Sequence, residues 1–225
     1  MKTLLVSGPW GSGTTAVAGL LARLGVAGFG PYLASNDPRT QNTYEFLPFR
    51  EIVRRYVSVP ELCFREPGPG VAEADFRRLR SRIEGQEFGA YDTTPGSAIF
   101  LKSPPSALVL PQICRVFDVH LICVMRPLEQ IERSRLRRGW PPVHGRLGAE
   151  VIYRHIDRAL DARACPHIRI DYSDVVTSPA ETVKRLAQFA SLRATPEQTR
   201  QALDFVSDRA RSLPRSSGNA GKLRS

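Results

Sequence analysis

Leu4-Leu5-Val6-Ser7-Gly8-Pro9-Trp10-Gly11-Ser12-Gly13-Thr14-Thr15 runs from an apolar strand through a glycine-rich turn into a helix that begins near Thr14. Gly8, Gly11 and Gly13 leave the turn little side-chain obstruction, so consecutive backbone N–H groups and the positive end of the helix can converge on an anion. The stretch therefore reads as a phosphate cradle. It matches every fixed position of the Walker pattern GxxxxGK[ST] except one, because Thr14 stands where that pattern has lysine. Nucleoside triphosphatases use that lysine to reach the β and γ phosphates, so its absence points to a different phosphorylated ligand.

The 225 residues fit one α/β domain over 1–211, followed by a polar, Gly/Ser-containing tail at 212–225 that reads as flexible. No segment approaches the roughly 20 continuous apolar residues of a membrane span, and Lys2-Thr3-Leu4-Leu5-Val6 is too short for a signal-peptide core. Cys63, Cys114, Cys123 and Cys165 form no CxxC pair, which predicts buried free thiols, no metal site and a reducing cytoplasm. The net charge is +10, carried mostly by arginine, whose planar fork suits phosphate and sulfate oxygens. The arginines are spread through helical segments with no basic arm, so anionic small ligands are expected before nucleic acid.

Helices are predicted at Thr14 to Leu24, Phe46 to Tyr56, Glu73 to Gln86, Ser106 to Phe117, Leu128 to about Trp140, Leu147 to Leu160, Pro179 to Ala190 and Pro196 to Arg209. Asn36-Asp37-Pro38-Arg39 signals a turn and Glu66-Pro67-Gly68-Pro69-Gly70 a break. Ala98 to Lys102, Val119 to Met125 and His167 to Asp171 are the further strands, and the nearly continuous apolar run to Met125 is that of a buried parallel strand. This alternation implies a three-layer fold, a parallel sheet with helices on both faces, whose ligands sit beyond the carboxyl ends of the strands. The glycine-rich loop, Lys102 and Arg126 should converge on that edge. Ser134, eight residues after Arg126, is two helical turns on, where its hydroxyl could share an anion with the guanidinium.

The loop with Ser12-Gly13-Thr14-Thr15 resembles the 5′-phosphosulfate loop of the sulfotransferases, and Arg126 with Ser134 resembles their 3′-phosphate motif. Arg126-Pro127 is similar to bacterial members. Ile170-Asp171-Tyr172-Ser173-Asp174, with the helix after Ser178-Pro179, resembles a YEDL segment that reads as scaffolding. The resemblance covers residues 2 to 24 and roughly 98 to 192, and leaves Gly25 to Pro95 without a motif. It implies a P-loop NTPase-like sulfotransferase fold and 3′-phosphoadenosine 5′-phosphosulfate as sulfuryl donor. Gly11, Ser12, Gly13, Thr14, Thr15, Arg126 and Ser134 would then be the donor-binding residues.

Two departures bear on catalysis. Gly11 stands where members commonly have lysine or arginine, and Pro104, two residues after Lys102, stands where the cytosolic branch has a histidine base. Lys102 is therefore expected to supply the missing cation. For the base, Glu45 lies in the long insertion, Asp92 precedes the Lys102 strand and His144 follows Trp140-Pro141-Pro142. The expected activity is transfer of a sulfuryl group to a hydroxyl or amine of a small-molecule or glycan acceptor, without a metal. A P-loop nucleotide or small-molecule kinase, and a non-catalytic nucleotide-binding protein on the same fold, remain open as alternatives.

Overall fold

The computed structural model describes residues 1–35, 42–65, 67–68, 70–92, 94 and 97–211, with side chains through 207 in the last helix. The tail at 212–225 and the turn at 36–39 lie outside the described residues, as does part of the break at 66–70.

Four parallel strands form one sheet in the order β4-β1-β5-β6: β1 is Lys2–Ser7, β4 Ala98–Lys102, β5 Asp118–Met125 and β6 His167–Asp171. The register sets Val6 beside Lys102 and Met125 beside Asp171, so the strands finish along a common edge. Successive side chains of a strand point to opposite faces. Leu5, Ile99, Leu101, Leu121 and Cys123 accordingly enter one core, while Leu4, Val6, Phe100, Ile122, Val124 and Ile170 enter the other.

The first core is covered by α2 (Leu47–Tyr56), α3 (Val71–Glu84), α4 (Leu110–Cys114) and α6 (Arg146–Asp161). The second is covered by α1 (Thr14–Arg23), α8 (Pro179–Ala190) and α9 (Pro196–Arg211). Helix α5 (Leu128–Arg138) follows β5 and buries Ile131 and Ser134. The α/β three-layer class is as the alternation predicts.

Several local features differ from the sequence reading. Pro104–Val109 is a 3-10 helix, and α4 only begins at Leu110, because the proline at 111 has no N–H to continue an upstream helix and suits a first turn instead. Val57–Ser58 and Cys63–Phe64 form a small antiparallel hairpin, β2 and β3, too short to show a period. A single turn of helix, α7 (Tyr172–Thr177), separates β6 from α8. All four cysteines are free, but only Cys123 is buried; Cys63, Cys114 and Cys165 are half-buried. Cys114 and Cys165 share a sulfhydryl hydrogen bond that raises the Cys114 thiol. No helix among the described residues is long and apolar enough to cross a membrane.

Helices α2 and α3 are joined through Asp75, which is 5% exposed and accepts a bond from the Tyr56 hydroxyl at 2.7 Å and from the Arg55 and Arg78 guanidiniums. Burial alone would raise this carboxyl. The bonds from Tyr56, Arg78 and Arg55 outweigh it and hold the group below 3.8. The stabilisation is therefore fully present above 3.8 and is lost as pH falls through the depressed value. Asp75→Ala removes the carboxylate acceptor of the buried Tyr56 hydroxyl and leaves it a 3.4 Å contact to the Val71 carbonyl. It should cost about 2 kcal/mol in urea unfolding at pH 7. The gap between variant and wild type should shrink as the same titration is repeated at acid pH.

Candidate active site

Beyond Ser7 the chain turns through the glycine-rich loop. Ser12 N–H donates to the Pro9 carbonyl at 3.1 Å, and the Gly13 carbonyl accepts from Ala16 and Val17 to start α1. Gly13 has φ +105°, in the left-handed region that favours glycine, and a Cβ there would lie 2.1 Å from the Tyr172 ring. Gly11 has φ +77°, and a Cβ on it would reach both Cβ and Oγ of Ser134 at 3.5 Å. The loop is thus held between α7 and α5. Ser12 Oγ and Ser134 Oγ are both buried and have no hydrogen-bond partner among the described residues, and Thr14, two residues after Ser12, is buried as well. A buried hydroxyl without a partner is costly, so both positions suit an anion's oxygens.

Arg126 follows β5 and is locked through its backbone: its N–H donates to Tyr153 Oη at 2.8 Å, and the Tyr153 hydroxyl donates back to the Arg126 carbonyl at 3.1 Å. Its Nη1 donates to the Gly11 carbonyl at 2.7 Å and its Nε to Gln130 Oε1 at 3.2 Å, while the guanidinium lies over the Tyr172 ring, 4.7 Å from the centroid. Burial, aided by the nearby Arg137, holds it below the ordinary arginine value. Burial likewise pushes the Tyr153 phenol up to about 12. Arg126 and Ser134 therefore adjoin the loop, as their spacing predicts. Tyr172 lies in the segment read as scaffolding and supports the loop, whereas Tyr153 carries no motif that singles it out.

Lys102 ends β4 with 2% exposure, and its Nζ donates to Thr15 Oγ1 at 3.2 Å, the Thr43 carbonyl at 2.9 Å and Glu45 Oε1 at 3.0 Å. Glu45 also pairs with Arg50 Nε at 3.4 Å. The segment that presents Glu45 is fixed by the Leu33 N–H bond to the Glu45 carbonyl at 2.9 Å and the Thr43 hydroxyl bond to the Leu33 carbonyl at 2.6 Å. Two of the sequence candidates, 57 residues apart, thus meet beside the loop.

His144 joins them from another direction. Its imidazole stacks on the Trp10 indole of the loop at 4.4 Å and meets the Trp140 ring edge-on at 5.8 Å. Burial, reinforced by Arg54 and opposed by Glu45, keeps its pKa below 6.5, so it is a neutral base at pH 7. Asp92 is elsewhere. It accepts from the Thr94 N–H at 2.9 Å, and the adjacent Tyr91 hydroxyl reaches Met1 Sδ at 3.3 Å. Residues that precede a parallel strand lie at its amino end, so Asp92 sits on the edge away from the loop and is no candidate base.

Gly13→Ala adds left-handed strain of about 1–3 kcal/mol and displaces Tyr172. The variant should show a lowered Tm. Adding Tyr172→Ala should recover the steric part of the stability loss, which a thermal-melt double-mutant cycle reads as non-additivity.

No family profile and no curated protein sequence matches the chain. Solved structures do. Sulfotransferase STF1 from Mycobacterium tuberculosis H37Rv superposes with a TM-score of 0.59 at 16% identity, over 94% of this chain and 77% of that one. The sulfotransferase domain of the Synechococcus PCC 7002 olefin synthase gives 0.53 at 17% identity, over 95% and 88%. Sulfotransferase STF9 from Mycobacterium avium gives 0.50 at 17% identity, over 91% and 67%. With its four-stranded parallel sheet and helices on both faces, the chain has the fold of the bacterial sulfotransferases.

Proposed function

We propose that the protein transfers a sulfuryl group from 3′-phosphoadenosine 5′-phosphosulfate to a hydroxyl or amine. The observation that carries this reading is a pair of buried serine hydroxyls with no partner among the described residues, each on a cation-bearing side of one loop. Ser12 Oγ belongs to the loop that Lys102 joins at Thr15, and Ser134 Oγ lies against Gly11, whose carbonyl Arg126 holds. Two adjoining anion sites of this kind suit a nucleotide phosphorylated at both 3′ and 5′ positions. A magnesium-dependent kinase is less well served, since Thr14 replaces the loop lysine that such enzymes use to reach the β and γ phosphates.

In the proposed reaction the acceptor oxygen or nitrogen attacks sulfur, and a new bond to sulfur forms as the bond from sulfur to the bridging oxygen of the 5′-phosphate breaks. Charge grows on that oxygen. Lys102 supplies the cation there that Gly11 does not, acting through its charge because its three N–H donors are held by Thr15, Thr43 and Glu45, and Glu45, paired also with Arg50, fixes the ammonium in place. His144 takes the acceptor proton. Its burial between two indoles keeps the imidazole free to do so. Sulfuryl transfer asks the protein for alignment, charge stabilisation and one proton acceptor, and these side chains provide all three.

Calorimetric titration should show 3′-phosphoadenosine 5′-phosphate preferred over ATP with magnesium, and weakened by about tenfold or more in Arg126→Ala. Preference for ATP, or binding of neither, overturns the reading. In turnover assays, Lys102→Ala and His144→Asn should each lower kcat by about 100-fold or more while His144→Asn leaves donor affinity near that of wild type. The wild-type kcat should fall on acidification through a midpoint below 6.5, as His144 takes up a proton, and that limb should be missing from His144→Asn.

A further inference from the structure

The 3′-phosphate half of the proposed site has one committed guanidinium. Arg126 spends Nη1 on the Gly11 carbonyl and Nε on Gln130, which leaves its second terminal nitrogen for a ligand. Ser134 adds a hydroxyl. A phosphate dianion at neutral pH has three exposed oxygens and is bound most strongly by charge-assisted hydrogen bonds from more than one cation.

Helix α5 offers another. Residues 130, 134 and 137 are separated by four and three positions and so lie along one stripe of the helix. Two of the three already face the site: Gln130 receives Arg126 Nε, and Ser134 is buried against Gly11. Arg137 is the next residue on that stripe, exposed, and forms no ion pair or hydrogen bond among the described residues. Its neighbours on the helix differ: Arg135 is bonded to Glu132 Oε1 and to the Trp140 carbonyl. Arg133, also exposed and unpaired, lies farther round the helix from Ser134 than Arg137 does.

We propose that Arg137 is the second guanidinium of the 3′-phosphate site, with Arg126 serving as both ligand and strut to the loop. The repulsion that Arg137 exerts on Arg126 accords with this placement. An anion bound between two like charges relieves their repulsion. The inference rests on the bisphosphate reading of the site and adds a residue that lies outside the arginine and serine of the sequence motif.

The test compares 3′-phosphoadenosine 5′-phosphate with AMP, which lacks the 3′-phosphate, by equilibrium titration of wild type, Arg137→Ala, Arg137→Lys and Arg133→Ala at fixed salt. Arg137→Ala should weaken the bisphosphate by about tenfold and leave AMP unchanged. Arg137→Lys should recover part of the loss, and Arg133→Ala should match wild type for both ligands. If Arg137→Ala keeps the wild-type preference for the bisphosphate, or weakens both ligands equally, Arg137 is not a 3′-phosphate ligand. A wild type with no preference for the bisphosphate over AMP overturns the nucleotide reading itself, and this inference with it.

Discussion

A charged ammonium at the end of a central strand must be surrounded by acceptors, and much of the site follows from how this chain meets that requirement. Lys102 is 2% exposed, and each of its three N–H donors has a partner: a loop hydroxyl, a backbone carbonyl and a carboxylate. Leaving such a group unsatisfied in a protein interior would cost several kcal/mol. The partners come from two other parts of the chain, so satisfying the lysine also docks the segment around Thr43 to Glu45 onto the sheet and sets the loop's Thr15 beside it. One buried charge thereby brings the insertion, the strand end and the glycine-rich loop together.

The second cation follows different physics. Arg126 is positioned through its backbone by Tyr153 and through its side chain by a carbonyl, an amide and an aromatic face. Its planar fork allows several directed contacts at once, where a lysine ammonium would supply a point charge. The arrangement makes the loop and the end of β5 one rigid unit, since Gly11 is gripped by Arg126 while Gly13 is covered by Tyr172.

What was legible in the sequence was whatever repeats or is local. The apolar runs ending at Lys102 and Met125 announce buried parallel strands, and the glycine spacing between Ser7 and Thr15 announces the loop. Arg126 and Ser134 are eight residues apart on one strand-helix unit, so their meeting is a matter of helical geometry. Glu45 and Lys102 have no such relation; their contact depends on how the insertion folds back, which no local pattern encodes. The same holds for Trp10 on His144, built from two segments more than a hundred residues apart. The error over Asp92 was of another kind. Closeness in sequence to Lys102 concealed that a five-residue strand separates the two edges of the sheet. The 3-10 turn at Pro104–Val109 and the short α7 escaped because each is too brief to show a period.

The support given to Gly13 by Tyr172 also orders events in time. On a ribosome the loop is among the first pieces made, yet the ring that covers it is made more than 150 residues later, directly after β6. Contacts so distant in sequence form only after their loop-closure entropy has been met, and large chains pass through partly assembled states on the way. The nascent chain therefore carries its glycine-rich loop unfinished through most of synthesis. The finished shape of that loop is a property of the completed sheet, which the amino-terminal third cannot reach alone.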